Sequence, residues 1–278
     1  MRKIKFTKMV ASGNDFVVIE SGHKSGVTRH KILARNICER KYGVGADGVL
    51  VLEKSKVANV RMRIFNADGS EAEMCGNGAR CVAFYASTEY PACPAGRRVP
   101  STELKIETKA GVIESEVRGD NVKIKLTDPK NIKLGIPLKI GKRILRVNFI
   151  NTGVPHAVIF VEGINKIDVF NLGRFIRFHK KFQPQGTNVD FTEILSDNSI
   201  KVRTYERGVE DETLACGTGS VAAALILSHQ SGVRCHKIDV YTKSGEILKV
   251  HFDKMNNNFK NIWLEGKAGI VYKGEYNV

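Results

Sequence analysis

Cys75-Gly-Asn-Gly-Ala-Arg-Cys-Val-Ala-Phe-Tyr-Ala86 and Cys216-Gly-Thr-Gly-Ser-Val-Ala-Ala-Ala-Leu-Ile-Leu227 read as two copies of one device. In each, a cysteine precedes a glycine-framed step and then an apolar run of helical pattern. Both copies are acid-rich upstream, with Glu71 and Glu73 in one and Glu210, Asp211 and Glu212 in the other. A motif of this kind repeated once predicts a pseudo-symmetric pair of α/β domains.

The flanking sequence fits such a pair. Alternating runs predict strands at Lys3 to Thr7, Phe16 to Glu20, Val49 to Glu53 and Val60 to Phe65. Ile32, Leu33, Ile37 and Cys38 recur at helical spacing within Arg29 to Lys41, with Thr28 as N-cap and Gly43 past the end. Hairpin-like runs follow at Leu104 to Thr108, Val112 to Val117 and Val122 to Leu126. After Asp128-Pro129 the pattern restarts, with strands at Ile144 to Ile150, His156 to Val161, Thr187 to Phe191 and Val202 to Tyr205.

A chain of 278 residues that is 42% hydrophobic supports one large domain or two of ordinary size. No stretch approaches the roughly 20 apolar residues of a membrane span, and the start of the chain lacks the apolar core of a signal peptide. The six cysteines are thinly spread, without Cys-x-x-Cys or His-x-x-x-His spacing. The expectation is therefore reduced thiols in a cytoplasmic protein, with no disulfide framework and no metal. The net charge of +15 is dispersed, and clusters such as Arg97-Arg98 and Lys180-Lys181 read as solvated surface. No nucleic-acid or membrane partner is expected.

Gly43-Val-Gly-Ala-Asp-Gly48 matches the dinucleotide fingerprint, but that fingerprint needs a strand before it and a helix after it. Here the order is reversed, so nucleotide binding is rejected.

A cysteine at a helix start meets unpaired backbone N–H groups and the positive end of the dipole, which favour a thiolate and lower its pKa. The N–H groups of Gly76, Asn77 and Gly78, and of Gly217, Thr218 and Gly219, are placed to receive a small carboxylate. One such cysteine suggests a nucleophile and two matched ones suggest a proton donor and acceptor on opposite faces of one α-carbon, the geometry of a racemase or epimerase. Helix N-termini aimed at the carboxylate would stabilise the developing carbanion electrostatically, as pyridoxal phosphate does covalently. Each cysteine is alternatively a small buried hydrophobe. Cys38, Cys81 and Cys235 are read as packing residues and Cys93 as part of a Pro-rich loop. His23, His30, His179, His236 and His251 have no convergent context.

These residues resemble the diaminopimelate epimerase family over nearly the whole chain. The likeness runs from Phe6-Thr-Lys-Met-Val-Ala-Ser-Gly-Asn-Asp-Phe16 through Tyr42 to Gly48, Phe65-Asn-Ala-Asp-Gly-Ser-Glu71, Cys75 to Cys81, Gly186-Thr-Asn-Val-Asp190 and Tyr205 to Gly219, ending at Gly266 to Glu275. It implies two pseudo-symmetric α/β domains, each a curved, mainly antiparallel sheet around a central helix. Their bounds would be 1–119, with a return strand 265–278, and 120–264. It also implies a homodimer that converts LL-diaminopimelate to the meso form for lysine and peptidoglycan synthesis, without metal or coenzyme.

Carried over by position, Cys75 and Cys216 would be acid and base, with His156 and Glu206 beside them. Asn14, Asn66, Asn188 and Arg207 would hold the distal groups of the substrate, Arg207 bidentately. Glu206 joins them as a substrate contact, with Gly76, Asn77, Gly217 and Thr218. Without the likeness, Asn14 reads as a turn residue and Glu206-Arg207 as an exposed ion pair. The chain departs from the family at Gly153-Val-Pro-His156, where many members have Asn in place of Val154, and its Tyr90 to Ser101 segment is longer than usual. Proline racemase or hydroxyproline epimerase activity, and a binding protein that kept only the fold, are the alternatives.

Overall fold

The computed structural model describes residues 3–21, 27–89, 103–141, 143–231, 236–255 and 258–278. His23, Cys93, Cys235, Arg97-Arg98 and the Tyr90 to Ser101 segment lie outside the described residues. The chain forms two compact units, Met1–Ile124 with Gly266–Val278, and Lys125–Glu265.

In unit 1, β1 (Lys3–Ala11) turns through Ser12 and Gly13, both at positive φ, into β2 (Asn14–Glu20). Helix α1 (Val27–Cys38) leads to β3 (Gly48–Glu53), parallel to β2. β4 (Val60–Asn66) runs antiparallel to β3 and pairs with the short β5 (Glu71–Ala72). Helix α2 (Gly76–Thr88) then delivers β6 (Glu103–Thr108), parallel to β4 and followed by antiparallel β7 (Gly111–Arg118) and β8 (Asn121–Lys125).

Unit 2 repeats this order. β9 (Lys130–Ile140) pairs with β10 (Arg143–Asn151), which turns into β11 (Pro155–Phe160). Helix α3 (Val169–Arg177) leads to β12 (Asn188–Ser196), parallel to β11, and then to antiparallel β13 (Ser199–Glu206) and β14 (Asp211–Thr213). Helix α4 (Gly217–Ser231) precedes β15 (Lys237–Tyr241), parallel to β13, then β16 (Ile247–Met255) and β17 (Asn258–Lys267). β18 (Gly269–Asn277) returns to unit 1 beside β1, as β9 lies beside β10.

Both central helices are buried by their own sheets. α2 contacts β1, β2, β3, β4, β6, β7 and β18, and α4 contacts β10, β11, β12, β13, β15 and β16. Val221 to Leu227 are all buried, and a helix apolar on every side can be satisfied only where protein surrounds it. The outer faces are covered by α1 and α3. Leu33, Ala34, Ile37 and Cys38 pack on Val17, Ile19, Val49, Val51 and Phe65, while Val169 and Ile176 pack with Ala157, Ile159, Val189, Phe191 and Tyr205. Gly173 permits that second approach, since a Cβ there would stand 2.5 Å from the Tyr205 Cβ.

The strands expected from alternation are present with shifted ends. α1 spans Val27–Cys38, so Thr28 lies in its first turn rather than at the cap. α3, β9 and the strands β15 to β17 were not expected. Among the acidic residues ahead of each motif, Glu71 and Glu212 are anchors. Arg63 binds Glu71 at 2.8 Å and Arg203 binds Glu212 at 2.6 Å, tying each β5-type strand to its neighbour.

Candidate active site

Side chains alternate across a strand, so one face of the unit 2 sheet meets α3 and the other meets α4. Ala157, Ile159, Val189, Phe191 and Tyr205 take the α3 side. His156, Asn188, Asp190, Thr204 and Glu206 alternate with them on the opposite face. The parallel register sets His156 against Asn188, and the antiparallel register sets Asp190 against Thr204.

Asp190 and His156 are fully buried, with the Asp190 carboxylate 2.7 Å from His156 Nδ1. A carboxylate only accepts, so Nδ1 carries the proton and Nε2 is left to accept from the Thr218 hydroxyl at 3.0 Å. Thr204 donates to the second Asp190 oxygen at 2.8 Å. Cys216 Sγ lies 3.5 Å from the Thr218 hydroxyl, which closes a chain from Asp190 through His156 and Thr218 to the thiol. Burial pushes the Cys216 thiol well above its ordinary range, and the nearby Glu206 and Asp190 push it further. The Thr218 hydroxyl and Gly219 N–H pull it down without offsetting this. The expectation of a lowered pKa at a helix start therefore fails for Cys216, because desolvation and two carboxylates outweigh the helix end.

Glu206 is mostly buried, and burial raises its carboxyl pKa although Thr213 and His156 pull it down. Asn188 accepts from the Arg207 N–H at 2.8 Å and donates to the Pro155 carbonyl at 3.1 Å, holding the ends of β11 and β13. The Arg207 guanidinium reaches the Gln185 carbonyl at 3.3 Å. The exposed Glu206–Arg207 ion pair expected without the family likeness is thus replaced by a half-buried acid and an arginine turned to backbone.

In unit 1, Cys75 caps α2, its Sγ accepting from the Gly78 N–H at 3.5 Å. Asn14 is not in the turn but opens β2, its amide donating to Asp47 at 3.1 Å and accepting from Asn77 at 2.5 Å. Asn66 ends β4, exposed, donating to the Ser70 hydroxyl at 2.9 Å. The glycines of the motif have a packing role as well as leaving backbone open. A Cβ on Gly219 would meet an Asp190 oxygen at 2.3 Å, and one on Gly78 would meet Leu50 at 3.0 Å.

The structure thus gathers Cys216, Thr218, His156 and Glu206 in unit 2, and Cys75, Asn77 and Asn14 in unit 1. Asp190 and Thr204 were missed from sequence. Strand alternation from Asn188 was the available signal, since it puts Asp190 on the same face. His30 is buried beside Phe65, their ring centroids 5.6 Å apart, and His251 pairs with Glu265 at 2.8 Å, so neither joins this grouping.

A family model described as diaminopimelate epimerase matches residues 6–132 and 148–271. The chain is 41% identical to the diaminopimelate epimerase of Aquifex aeolicus over 98% of this chain and 97% of that protein. It is 43% identical to that of Methanocella arvoryzae over 100% and 98%. In fold it is similar to a phenazine biosynthesis protein of the PhzF family from Bacillus anthracis, with TM-score 0.74 at 18% identity over the full length of both. A hydroxyproline epimerase from Agrobacterium vitis gives TM-score 0.71 at 16% identity, over 99% of this chain and 91% of that one.

Proposed function

The chain belongs to the diaminopimelate epimerase family, isomerases acting on an amino acid, and on that premise we propose that it converts LL- to meso-diaminopimelate by two-base chemistry at Cys75 and Cys216. The duplicated cysteine at the start of each central helix carries this reading. Inversion of one α-carbon needs an acceptor on one face and a donor on the other.

In this mechanism the substrate α-carboxylate lies on the backbone N–H groups that open α2 and α4. Charge developing beside it is met by fixed dipoles rather than by a coenzyme. Cys216 rests as a thiol, since burial beside Glu206 and Asp190 disfavours its anion, and it delivers a proton when Cys75 removes one. In the reverse direction Cys216 loses its proton to Thr218 while the Thr218 proton passes to His156 Nε2. Thiolate and imidazolium result, the latter held by Asp190. Asn14, Asn66, Asn188, Glu206 and Arg207 take the distal amino and carboxylate groups. The reaction is placed in lysine and peptidoglycan-precursor synthesis in the cytoplasm, where thiols stay reduced, with a homodimer as the assembled form.

The test is incubation of purified protein with LL-diaminopimelate in D₂O. Deuterium at the α-carbon together with the meso product is expected. Turnover of proline or hydroxyproline at a comparable rate, with none of diaminopimelate, would transfer the assignment to a proline-type racemase.

A further inference from the structure

Unit 1 holds a polar array that the mechanism above leaves without a task, and it contains the Gly43 to Gly48 motif that imitates a nucleotide fingerprint. Lys8, nearly buried, pairs with Asp15 at 2.6 Å and donates to the Gly45 carbonyl. Arg40 bridges Asp15 at 3.0 Å and Asp47 at 2.9 Å. Burial raises the Asp15 carboxyl, but hydrogen bonds and charge from Lys8 and Arg40 more than offset it, and the group stays ionised below its ordinary range.

From this cluster a chain of side chains runs to the helix that carries Cys75. Asp47 accepts from the Asn14 amide at 3.1 Å. The Asn14 carbonyl accepts from Asn77 at 2.5 Å, and the Asn77 carbonyl accepts from Arg80 at 2.9 Å. Arg80, fully buried, also donates to the Ser12 hydroxyl in the β1–β2 turn at 2.5 Å.

A primary amide can be turned end for end, but a carboxylate only accepts and a guanidinium only donates. With Asp47 at one end and Arg80 at the other, the chain has a single polarity. Reversing Asn14 would set its carbonyl against the Asp47 carboxylate and its NH₂ against that of Asn77. We propose that Asp47 and Arg80 are positioning residues that fix the amides of Asn14 and Asn77 for the amino-acid substrate, Asp47 acting through Asn14. The proposal rests on the epimerase reading. Asn14 keeps one N–H and one carbonyl lone pair for substrate in set directions. Asn77, its side chain committed to Asn14 and Arg80, leaves the first N–H groups of α2 open to a carboxylate.

The other unit indicates that folding alone does not require the array. Matching the two sheets by their pairing register, Phe16 with Gly48 against His156 with Asn188, puts Val154 in the place of Asn14 and Thr187 in that of Asp47. Matching the helices from Cys75 and Cys216 puts Thr218 in the place of Asn77 and Val221 in that of Arg80. The same strand order is therefore built without any member of the chain.

The test is a double-mutant cycle in the full-length enzyme: wild type, Asn14→Ala, Asp47→Asn and the pair, each assayed for KM and kcat with LL-diaminopimelate and for thermal midpoint. Asp47→Asn is expected to raise KM about tenfold while kcat moves less than about threefold. Asn14→Ala does at least as much, and the double variant is no worse than Asn14→Ala. A KM within about twofold of wild type, or losses that multiply in the double variant, overturns the proposal. If Asp47→Asn does not fold, Asp47→Ser serves, its hydroxyl being able to donate or accept and so leaving Asn14 unfixed. An inactive wild type sinks the epimerase reading and this proposal together. An active wild type with independent losses sinks only this one.

Discussion

Unit 1 and unit 2 share a strand order and a cysteine at the same point of it, yet the surroundings of the two thiols are built from opposite materials. Where β2 and β3 bring Phe16 and Leu50 beneath α2, β11 and β12 bring His156 and Asp190 beneath α4. Where β4 ends in Asn66, β13 ends in Glu206. Unit 1 keeps its carboxylates, Asp15 and Asp47, near the β1–β2 turn and reaches from them to the helix through amides. Unit 2 buries them directly beside the thiol. Equal backbones thus leave room for unequal proton affinities, which a reaction that must both give and take a proton needs.

The comparison is first tested by deleting each thiol. Cys75→Ala and Cys216→Ala are each expected to lower kcat for epimerisation by on the order of 10³ or more, with circular dichroism unchanged. Different surroundings do not make either dispensable. Either variant retaining more than about a tenth of wild-type activity, less than about 1.4 kcal/mol of lost transition-state stabilisation, contradicts a two-base reaction.

A narrower test addresses the chain that only unit 2 has. Thr218→Val removes the hydroxyl between Cys216 and His156 while keeping the shape. It should lower kcat roughly tenfold with KM nearly constant, because one hydrogen-bonded step is lost and no packing is. That hydroxyl also pulls the Cys216 pKa down, so the variant thiol should ionise at higher pH, read as slower alkylation of Cys216 followed by mass spectrometry. Thr218→Ser should restore both. A serine variant as slow as the valine one would show that the methyl group, not the hydroxyl, matters.

The smallest effect is on stability. Burial raises the Glu206 pKa, so the folded protein holds that proton more tightly than the unfolded chain does. Its contribution is present at acid pH and lost as pH rises through the folded value. Glu206→Gln removes the ionisation and is expected to raise the thermal midpoint by a few degrees at pH 8, and by less at pH 5, while activity falls. A midpoint lowered equally at both pH values would mean that Glu206 stabilises the fold as an ordinary hydrogen-bonding residue.

Much of this division was legible in sequence where the signal is local. The two Cys-Gly-x-Gly motifs, the apolar run from Val221 to Leu227 and the reversed order around Gly43 to Gly48 are short-range patterns, and the helices and strands followed them. α3 escaped because it is short and has Gly173 in its middle, which local propensity reads as a break. What favours it is its packing on Tyr205, which no window of sequence contains. Asp190 escaped because its partner His156 comes from another strand, and the raised Cys216 pKa escaped for the same reason. A rule about helix starts says nothing of carboxylates delivered by β12 and β13. The aspartate of the rejected fingerprint was visible, but its partners Asn14, Asp15 and Arg40 are brought to it only by the fold.

The pairing of β18 with β1 joins Lys3 to Glu275, residues 272 positions apart. During synthesis, unit 2 leaves the ribosome as one uninterrupted segment and has all its strands before β18 exists. Domains generally fold as they emerge, so unit 2 is equipped to fold first even though unit 1 is begun first. Until β18 arrives, β1 offers a bare edge along a strand rich in apolar residues, a template for pairing with another chain. The vulnerable interval in this protein's production is therefore the wait of β1 for β18.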